Sequence, residues 1–372
     1  MQAVILAGGF GTRLRPLTST RPKPLIPFAN EPFLIHMLRQ LASSGFNDVV
    51  LSTMYLPEAF DELIPAARKL GVEVVLSSED TPMGTSGAVK RLSHLLNDTF
   101  LVFNGDILVD LDIPKLVELH RQRGAAASLA LVRVPDPSAF GLVPVDAEGR
   151  VRAFLEKPGP DEEAWVTDLI NAGVYVLEPS VLEHVAAGRP SSFERDLFPS
   201  LLASGAPVYG YEVQGYWRDL GTPIAYLAAQ ADLLEGRLSL PMSATEHGRG
   251  RWFADSVEIE DGAVLRGPVM IGSSARVERE GRVFGPSVLG PGAVVAGGAR
   301  VERSVLLAGA RIERGGKVSD SILGADVVVG SGAVVSDGAI LGDGAIIEEG
   351  NVLAAGIRVA PGVHLPAGAI RV

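Results

Sequence analysis

The sequence predicts an α/β domain built on a Rossmann-like, doubly wound mixed sheet, followed by a parallel β-helix. Two rhythms predict it. Short apolar runs alternate with amphipathic segments up to residue 236, and aliphatic residues recur every six positions beyond residue 252. A Gly-rich turn that closes the first apolar run, followed by closely spaced cations and prolines, points to a bound anion.

In the first half, AVIL (3–6), DVVLST (48–53), VEVVLSS (72–78) and FLVF (100–103) read as buried strands. The segments 31–45, 57–71 and 86–96 carry apolar residues at three- and four-residue spacings and read as helices. Such alternation places ligands beyond the carboxyl ends of the strands. Both LAGGFGTRLRPLTSTRPKPLIP (6–27) and NGD (104–106) fall at such ends.

The polar, Gly/Pro-broken stretch 237–252 separates this half from the rest, giving an expected division into 1–236, a linker, and 253–372. Steps of six from Ile259 reach Leu265, Ile271, Val277, Val283, Leu289, Val295, Val301 and Leu307. The phase then slips, carries Ile312 and Val318, and slips again. From Leu323 it reaches Val329, Val335, Leu341, Ile347, Leu353, Val359 and Leu365. Neither a helix nor an alternating strand has this period, whereas a narrow β-helical core does. Each slip is expected to mark a loop.

Composition excludes several function classes. The chain is 47% hydrophobic and 21% charged, enough to bury a large core and unlike a disordered tail. A net charge of −11 argues against nucleic acid or an anionic membrane as a partner, so an anionic ligand must meet locally clustered cations. There is no cysteine, hence neither disulfide nor thiolate metal site. No apolar run approaches the roughly 20 residues of a membrane span, and the N-terminal MQAVILAGG is no signal peptide. A cytoplasmic location is expected.

Glycine lets the main chain approach phosphate oxygens closely, but AGGFGTR is neither G-x-G-x-x-G nor a P-loop. The remainder of the loop is more telling. Arg13 follows the glycines, and Pro22 and Pro24 restrict the backbone on both sides of Lys23. A solvated surface lysine would gain nothing from that restriction.

The pattern GGFGTRLRPLT…RPKP resembles the signature of the sugar-1-phosphate nucleotidylyltransferases, or NDP-sugar pyrophosphorylases. EDTPMGTSGAVK (79–90), FNGDIL (103–108), FLEKP (154–158), NAGVYVLEP (171–179) and GYWRDLGTP (215–223) resemble further family segments in the same order. The likeness spans about residues 1–235. Many members carry a hexapeptide β-helix behind this domain, and the resemblance implies a left-handed one with three hexads per coil, hence about six coils here.

The resemblance implies attack of a sugar-phosphate oxygen on the α-phosphorus of an NTP, with pyrophosphate leaving. It places Leu6, Ala7, Gly8 and Gly9 along the nucleotide and Gly11, Thr12 and Arg13 around its phosphates. Arg13 would stabilise the α-phosphate and the leaving group, and Lys23 would contact the nucleophilic or α-phosphate. Asp106 and Asp219 would share one Mg²⁺, a cation satisfied by few carboxylates plus substrate oxygens. Glu156, Lys157, Asn171 and Gly141 would hold the sugar phosphate, while Glu194 is expected to cap a helix.

The base would be read by the segment containing Glu79, Pro82, Gly84 and Gly87. Guanine offers two adjacent donors, which suit an acceptor-only carboxylate at Glu79 or Asp80; thymine and uracil place one donor between two acceptors. The whole sequence most resembles the bacterial type of mannose-1-phosphate guanylyltransferase, with a dTTP- or UTP-dependent glucose-1-phosphate enzyme as the alternative. Hexapeptide β-helices also occur in acyltransferases, but here the second half offers only His247 and His364. A non-catalytic nucleotide-sugar-binding protein is disfavoured by the joint presence of Arg13, Lys23, Asp106, Lys157 and Asp219. The β-helix is expected to serve homo-oligomer assembly.

Overall fold

The computed structural model describes residues 1–156, 167–248 and 250–371. They form two compact units: Met1–Gly9 with Met37–Arg218, and Phe10–His36 with Asp219–Val372. The stretch 10–36 thus groups with the C-terminal residues, so the compact units do not follow the sequence boundary at 236. The cause is local bonding within that unit. Asn30 Nδ2 donates to Leu289 O at 3.0 Å, Ala29 N to Gln230 Oε1 at 3.1 Å, and Thr20 Oγ1 to Asp343 Oδ2 at 2.6 Å.

The first unit is organised on a mixed sheet. Strands Glu73–Ser78, Asp48–Thr53, Ala3–Leu6 and Phe100–Asn104 lie side by side and parallel. Next to them runs Leu169–Leu177, antiparallel, which also pairs with Ala127–Arg133 and Gly141–Leu142. Residues such as Val4, Val50, Val102, Leu129 and Tyr175 fill its core, all at most 2% exposed. Runs buried on both faces explain the near-continuous apolar strands of the sequence.

Two helices differ from expectation. The segment 57–71 divides into a 3-10 helix Pro57–Leu63 and an α-helix Ile64–Lys69. Pro65 has no N–H to return to Asp61, and its ring crowds the preceding turn, so one continuous α-helix is excluded. The third helix runs Gly84–Arg91 and tightens into three-residue turns, with Ser93 N on Lys90 O and Leu95 N on Leu92 O.

In the second unit, three sheets of eight, seven and six strands stack coil upon coil. All pairings are parallel except the first, Thr245–Glu246 against Arg251–Phe253. This arrangement fits a left-handed β-helix. Ile271, Val277, Val283, Leu289, Val295, Val301, Ile312, Val318, Leu323, Val329, Val335, Leu341, Ile347, Leu353 and Val359 point into one core, with Ile259, Leu265 and Leu365 at its margins. The rung expected at Leu307 belongs instead to Leu306, which pairs with Leu289 and Leu323.

The expected loops at the phase slips are absent. The chain instead takes two five-residue steps, Val301 to Leu306 and Val318 to Leu323, through corners at Arg303 and Asp320 with φ of 43° and 49°. Serines fill these tight corners. Ser304 N donates to Ser287 Oγ at 3.2 Å and Ser321 N to Ser304 Oγ at 3.1 Å, so each hydroxyl accepts from the next coil. Among the described residues, no helix is long and apolar enough to cross a membrane.

Candidate active site

The first unit places Leu6 to Gly9, Glu79 and Asp106 at the carboxyl ends of adjacent parallel strands. Leu6 ends the first, with Ala7 N bonded to Ser52 O at 2.8 Å. Gly8 and Gly9 follow. At Gly9 the backbone needs no special φ, and nothing lies within 4 Å of where a Cβ would sit, so neither conformation nor packing demands a glycine there. Open space above bare backbone suits an approaching ligand. On the neighbouring strand Gly105 N bonds Leu6 O at 3.0 Å, and a Cβ at Gly105 would come within 2.5 Å of that carbonyl. This close approach fixes the turn that carries Asp106.

Glu79 follows the strand Glu73–Ser78 and is buried, 8% exposed. Its Oε1 accepts from Ser52 Oγ at 2.9 Å and its Oε2 from Met83 N at 3.1 Å. The carboxylate therefore braces the 79–83 turn with part of its accepting capacity, while Asp80 is exposed. Pro82 lies in that turn. Gly84 opens the following helix at φ +69°, where a Cβ would come within 2.4 Å of Ser191 O. Gly87 is buried in the same helix, its N–H on Ser191 O at 3.1 Å.

Gly141 pairs with Glu156 across two short antiparallel strands, and Lys157 lies outside the described residues. Asn171 belongs to a polar network. Its Nδ2 donates to Tyr175 OH at 2.7 Å, and its Oδ1 accepts Gly173 N at 3.0 Å. Tyr175 OH in turn donates to Glu194 Oε1 at 3.2 Å. Burial, reinforced by the Glu194 charge, pushes the Tyr175 phenol well above its ordinary value, so it remains a neutral donor.

Glu194 is not the helix cap. Ser192 is: its Oγ accepts Glu194 N and Arg195 N, and Asp196 returns a bond to Ser192 N at 2.7 Å. Glu194 Oε2 instead takes hydroxyls from Ser192 at 2.7 Å and Thr85 at 3.4 Å. Tyr175 and Glu194 were therefore missed as partners of Asn171, and Thr85 as a partner of Glu194. The only hint in the sequence is two acids in one first turn, of which only one is needed to complete a cap. Two buried atoms at strand ends of this unit, Thr53 Oγ1 and Asn104 Oδ1, lack a hydrogen-bond partner among the described residues. Buried polar atoms are rarely left so, and both stand where this fold places ligands.

The second unit holds Gly11, Thr12, Arg13, Lys23 and Asp219. Gly11 adopts φ 59°, and a Cβ there would lie 2.8 Å from Thr18 Cγ2 and 3.1 Å from Lys23 Cβ. Only glycine meets both demands. Thr18 Oγ1 closes the turn on Gly11 O at 2.8 Å, and Thr12–Leu14 follows as a 3-10 turn presenting Arg13. Lys23 Nζ stands 3.8 Å from Asp219 Oδ1. The same oxygen accepts Gly221 N at 2.6 Å. A Cβ on Gly221 would meet Arg13 Nη2 at 2.6 Å and Asp219 Oδ1 at 2.7 Å, so Arg13 and Asp219 flank this glycine. Three residues distant in sequence thus share one small neighbourhood: two cations and a carboxylate.

The two C-terminal-half histidines engage local partners. His364 Nε2 meets Glu348 Oε1 at 2.7 Å, and the His247 ring stacks on Phe253 with centroids 5.0 Å apart.

Residues 2–236 match the nucleotidyl transferase family model, and residues 265–366 match that of the GMPPB C-terminal domain. A mannose-1-phosphate guanylyltransferase of Mycobacterium tuberculosis is 43% identical over 317 residues, 84% of this chain and 83% of that protein. A UTP–glucose-1-phosphate uridylyltransferase of Synechocystis is 33% identical over 87% of each chain. Among solved structures, HddC from Yersinia pseudotuberculosis in complex with GMP-PN has a TM-score of 0.53 and 28% identity, covering 61% of this chain and 97% of that one.

Proposed function

Because the chain belongs to the nucleotidyl transferase family, we propose that it joins GTP to mannose 1-phosphate, releasing pyrophosphate and forming GDP-mannose. The observation that carries the chemistry is the clustering of Arg13, Lys23 and Asp219 around Gly221. The nucleophile, a phosphate oxygen, is already anionic and needs no general base. The obstacle is repulsion: two unit charges 4 Å apart cost about 4 kcal/mol at an effective dielectric of 20, and several pairs contribute. Fixed cations that neutralise both phosphates, and hold the charge of the in-line transition state, meet that need.

In this reading Arg13 stabilises the α-phosphate and the departing pyrophosphate, and Lys23, oriented by Asp219, receives the sugar phosphate. Leu6, Ala7, Gly8, Gly9, Gly11 and Thr12 border the nucleotide; Gly141, Glu156, Lys157 and Asn171 serve the sugar phosphate. The Tyr175–Glu194 pair fixes the Asn171 amide. Asp106 and Asp219 offer hard carboxylate oxygens that suit Mg²⁺. Among the described residues no three His, Asp or Glu side chains converge on a metal site, so phosphate and water oxygens would complete the shell. When bound, such an ion would withdraw charge from the phosphate oxygens.

The relatives support guanine through the mycobacterial guanylyltransferase and the GMP-PN-bound neighbour, and the uridylyltransferase keeps UTP with glucose 1-phosphate as the second reading. Residues 1–236 and 253–372 are proposed as the catalytic and accessory modules, joined by 237–252, with assembly of the cytoplasmic protein into a homo-oligomer through the coils. Pyrophosphate release should be measured for GTP, dTTP, UTP and ATP with mannose or glucose 1-phosphate, with and without Mg²⁺. GTP with mannose 1-phosphate is expected to lead by at least tenfold and to need the metal. Equal turnover of GTP and UTP would overturn the guanine assignment.

A further inference from the structure

The phosphate loop is tied to the last coils of the β-helix, and both ties lie inside the second compact unit. Arg358, the first residue of strand Arg358–Val359, donates from Nη1 to two carbonyls, Arg13 O at 2.9 Å and Arg15 O at 2.8 Å. These carbonyls flank the end of the 3-10 turn Thr12–Leu14, whose own closing bond runs from Arg15 N to Thr12 O at 3.2 Å. One coil earlier, Asp343 Oδ2 accepts Thr20 Oγ1 at 2.6 Å and pairs with Arg21, while Oδ1 accepts Ala325 N at 2.8 Å. Arg358 stands in register with Ile340, and Asp343 lies in the turn just after strand Ile340–Leu341, so one tie comes from a rung and the other from the corner that follows the neighbouring rung.

The geometry has a direct consequence for Arg13. Its guanidinium lies beside Gly221 at the tip, and its backbone carbonyl is held by Arg358 at the root. The carbonyls at the end of a short helical turn carry partial negative charge, which favours a cation there. A guanidinium stays protonated and presents its donors in a fixed plane, so it fixes both the spacing and the direction of the two carbonyls.

We propose that Arg358 is a positioning residue for nucleotidyl transfer. Through it the β-helix sets the backbone from which Arg13 reaches the α-phosphate. The proposal rests on the reading that Arg13 serves the phosphates, and it gives the second module a part in the chemistry besides assembly.

The test is a mutant cycle in the full-length chain: Arg358→Ala, Arg358→Lys, Arg13→Ala and the double variant Arg13→Ala/Arg358→Ala, assayed by pyrophosphate release. Arg358→Ala is expected to lower kcat/KM by about tenfold to a hundredfold, mainly through kcat, because the stabilisation lost belongs to the transition state. Arg358→Lys should recover part of the loss, and the unfolding midpoint should stay at that of the parent. In the Arg13→Ala background, the further loss from Arg358→Ala should be under about twofold, since effects acting through one group do not add. Wild-type rates for Arg358→Ala, or fully additive losses in the double variant, would overturn the proposal. If Arg13→Ala alone left the rate unchanged, the reading of the phosphate site itself would fail, and this proposal with it. Should Arg358→Ala not fold cooperatively, Arg358→Gln, which can still donate to one carbonyl, takes its place in the cycle; its smaller loss should likewise vanish in the Arg13→Ala background, and a wild-type rate or additive losses would overturn the proposal.

Discussion

At the scale of single residues, the most informative positions are glycines, because each reports what stands beside it. Gly221 is buried without a left-handed backbone, so its lack of a side chain reflects neighbours rather than conformation. Those neighbours are the Arg13 guanidinium and the Asp219 carboxylate. A methyl group there would push the far end of a flexible arginine, which costs little stability but moves the cation. Gly221→Ala is therefore expected to lower kcat/KM by about ten- to a hundredfold, since misplacement on the order of 1 Å costs that much. Its unfolding free energy should stay within about 1 kcal/mol of the parent. Parallel assays of turnover and denaturant midpoint check this; equal loss in both would show that Gly221 serves the fold instead. The sequence carried Arg13, Lys23 and Asp219 as candidates through the family resemblance, but nothing in GYWRDLGTP says which neighbour its glycine must admit. Glu194 was similarly opaque: an acid in a first turn reads as a cap, whereas in the fold Ser192 caps and Glu194 turns toward Tyr175.

At the scale of elements, the β-helix was the most legible part of the chain, because each inward position admits only an aliphatic side chain and the period is exposed directly. The two slips were not legible. A five-residue corner looks, in sequence, like a lost phase, and Arg303 carries no compositional sign of the positive φ it adopts. What sustains these corners is the serine ladder, in which Ser304 Oγ donates to Glu302 O at 2.7 Å and accepts Ser321 N at 3.1 Å. Ser304→Ala would remove both bonds and leave a buried N–H without its acceptor, at a cost of about 1–3 kcal/mol. Hydrogen exchange on the full chain should show protection at Ser321 falling by about ten- to a hundredfold, with the sheet of the first unit unaffected. Unchanged protection would mean that the ladder is incidental to the corner.

At the scale of the whole molecule, the grouping of residues 10–36 with the C-terminal unit had no sequence signal, since its ties join positions far apart in the chain, from Ala29 and Gln230 to Thr20 and Asp343 or Arg13 and Arg358. Stability is the whole-molecule property that a single buried group can report, and His120 is suited to it. It is 1% exposed, its Nδ1 meets Ser128 Oγ at 3.0 Å, and its Nε2 meets Glu178 Oε1 at 3.0 Å. Burial holds its pKa below the ordinary histidine value and outweighs the opposing pull of the Glu178 carboxylate. The native state therefore resists a proton that the unfolded chain accepts below about pH 6.5. The unfolded state binds more protons in that window, so stability rises with pH there and is lost as pH falls, by at most about 1.4 kcal/mol per pH unit for one group. The lowered carboxylates Glu260, Glu302 and Glu348 also lose their contribution on acidification, but only below the ordinary glutamate range, so the two windows separate. Denaturant unfolding of the parent between pH 7.5 and 5 should show this decline. In His120→Gln, which keeps a neutral donor and acceptor, the slope over the same interval should be shallower. Equal slopes in the two proteins would assign the decline to other groups.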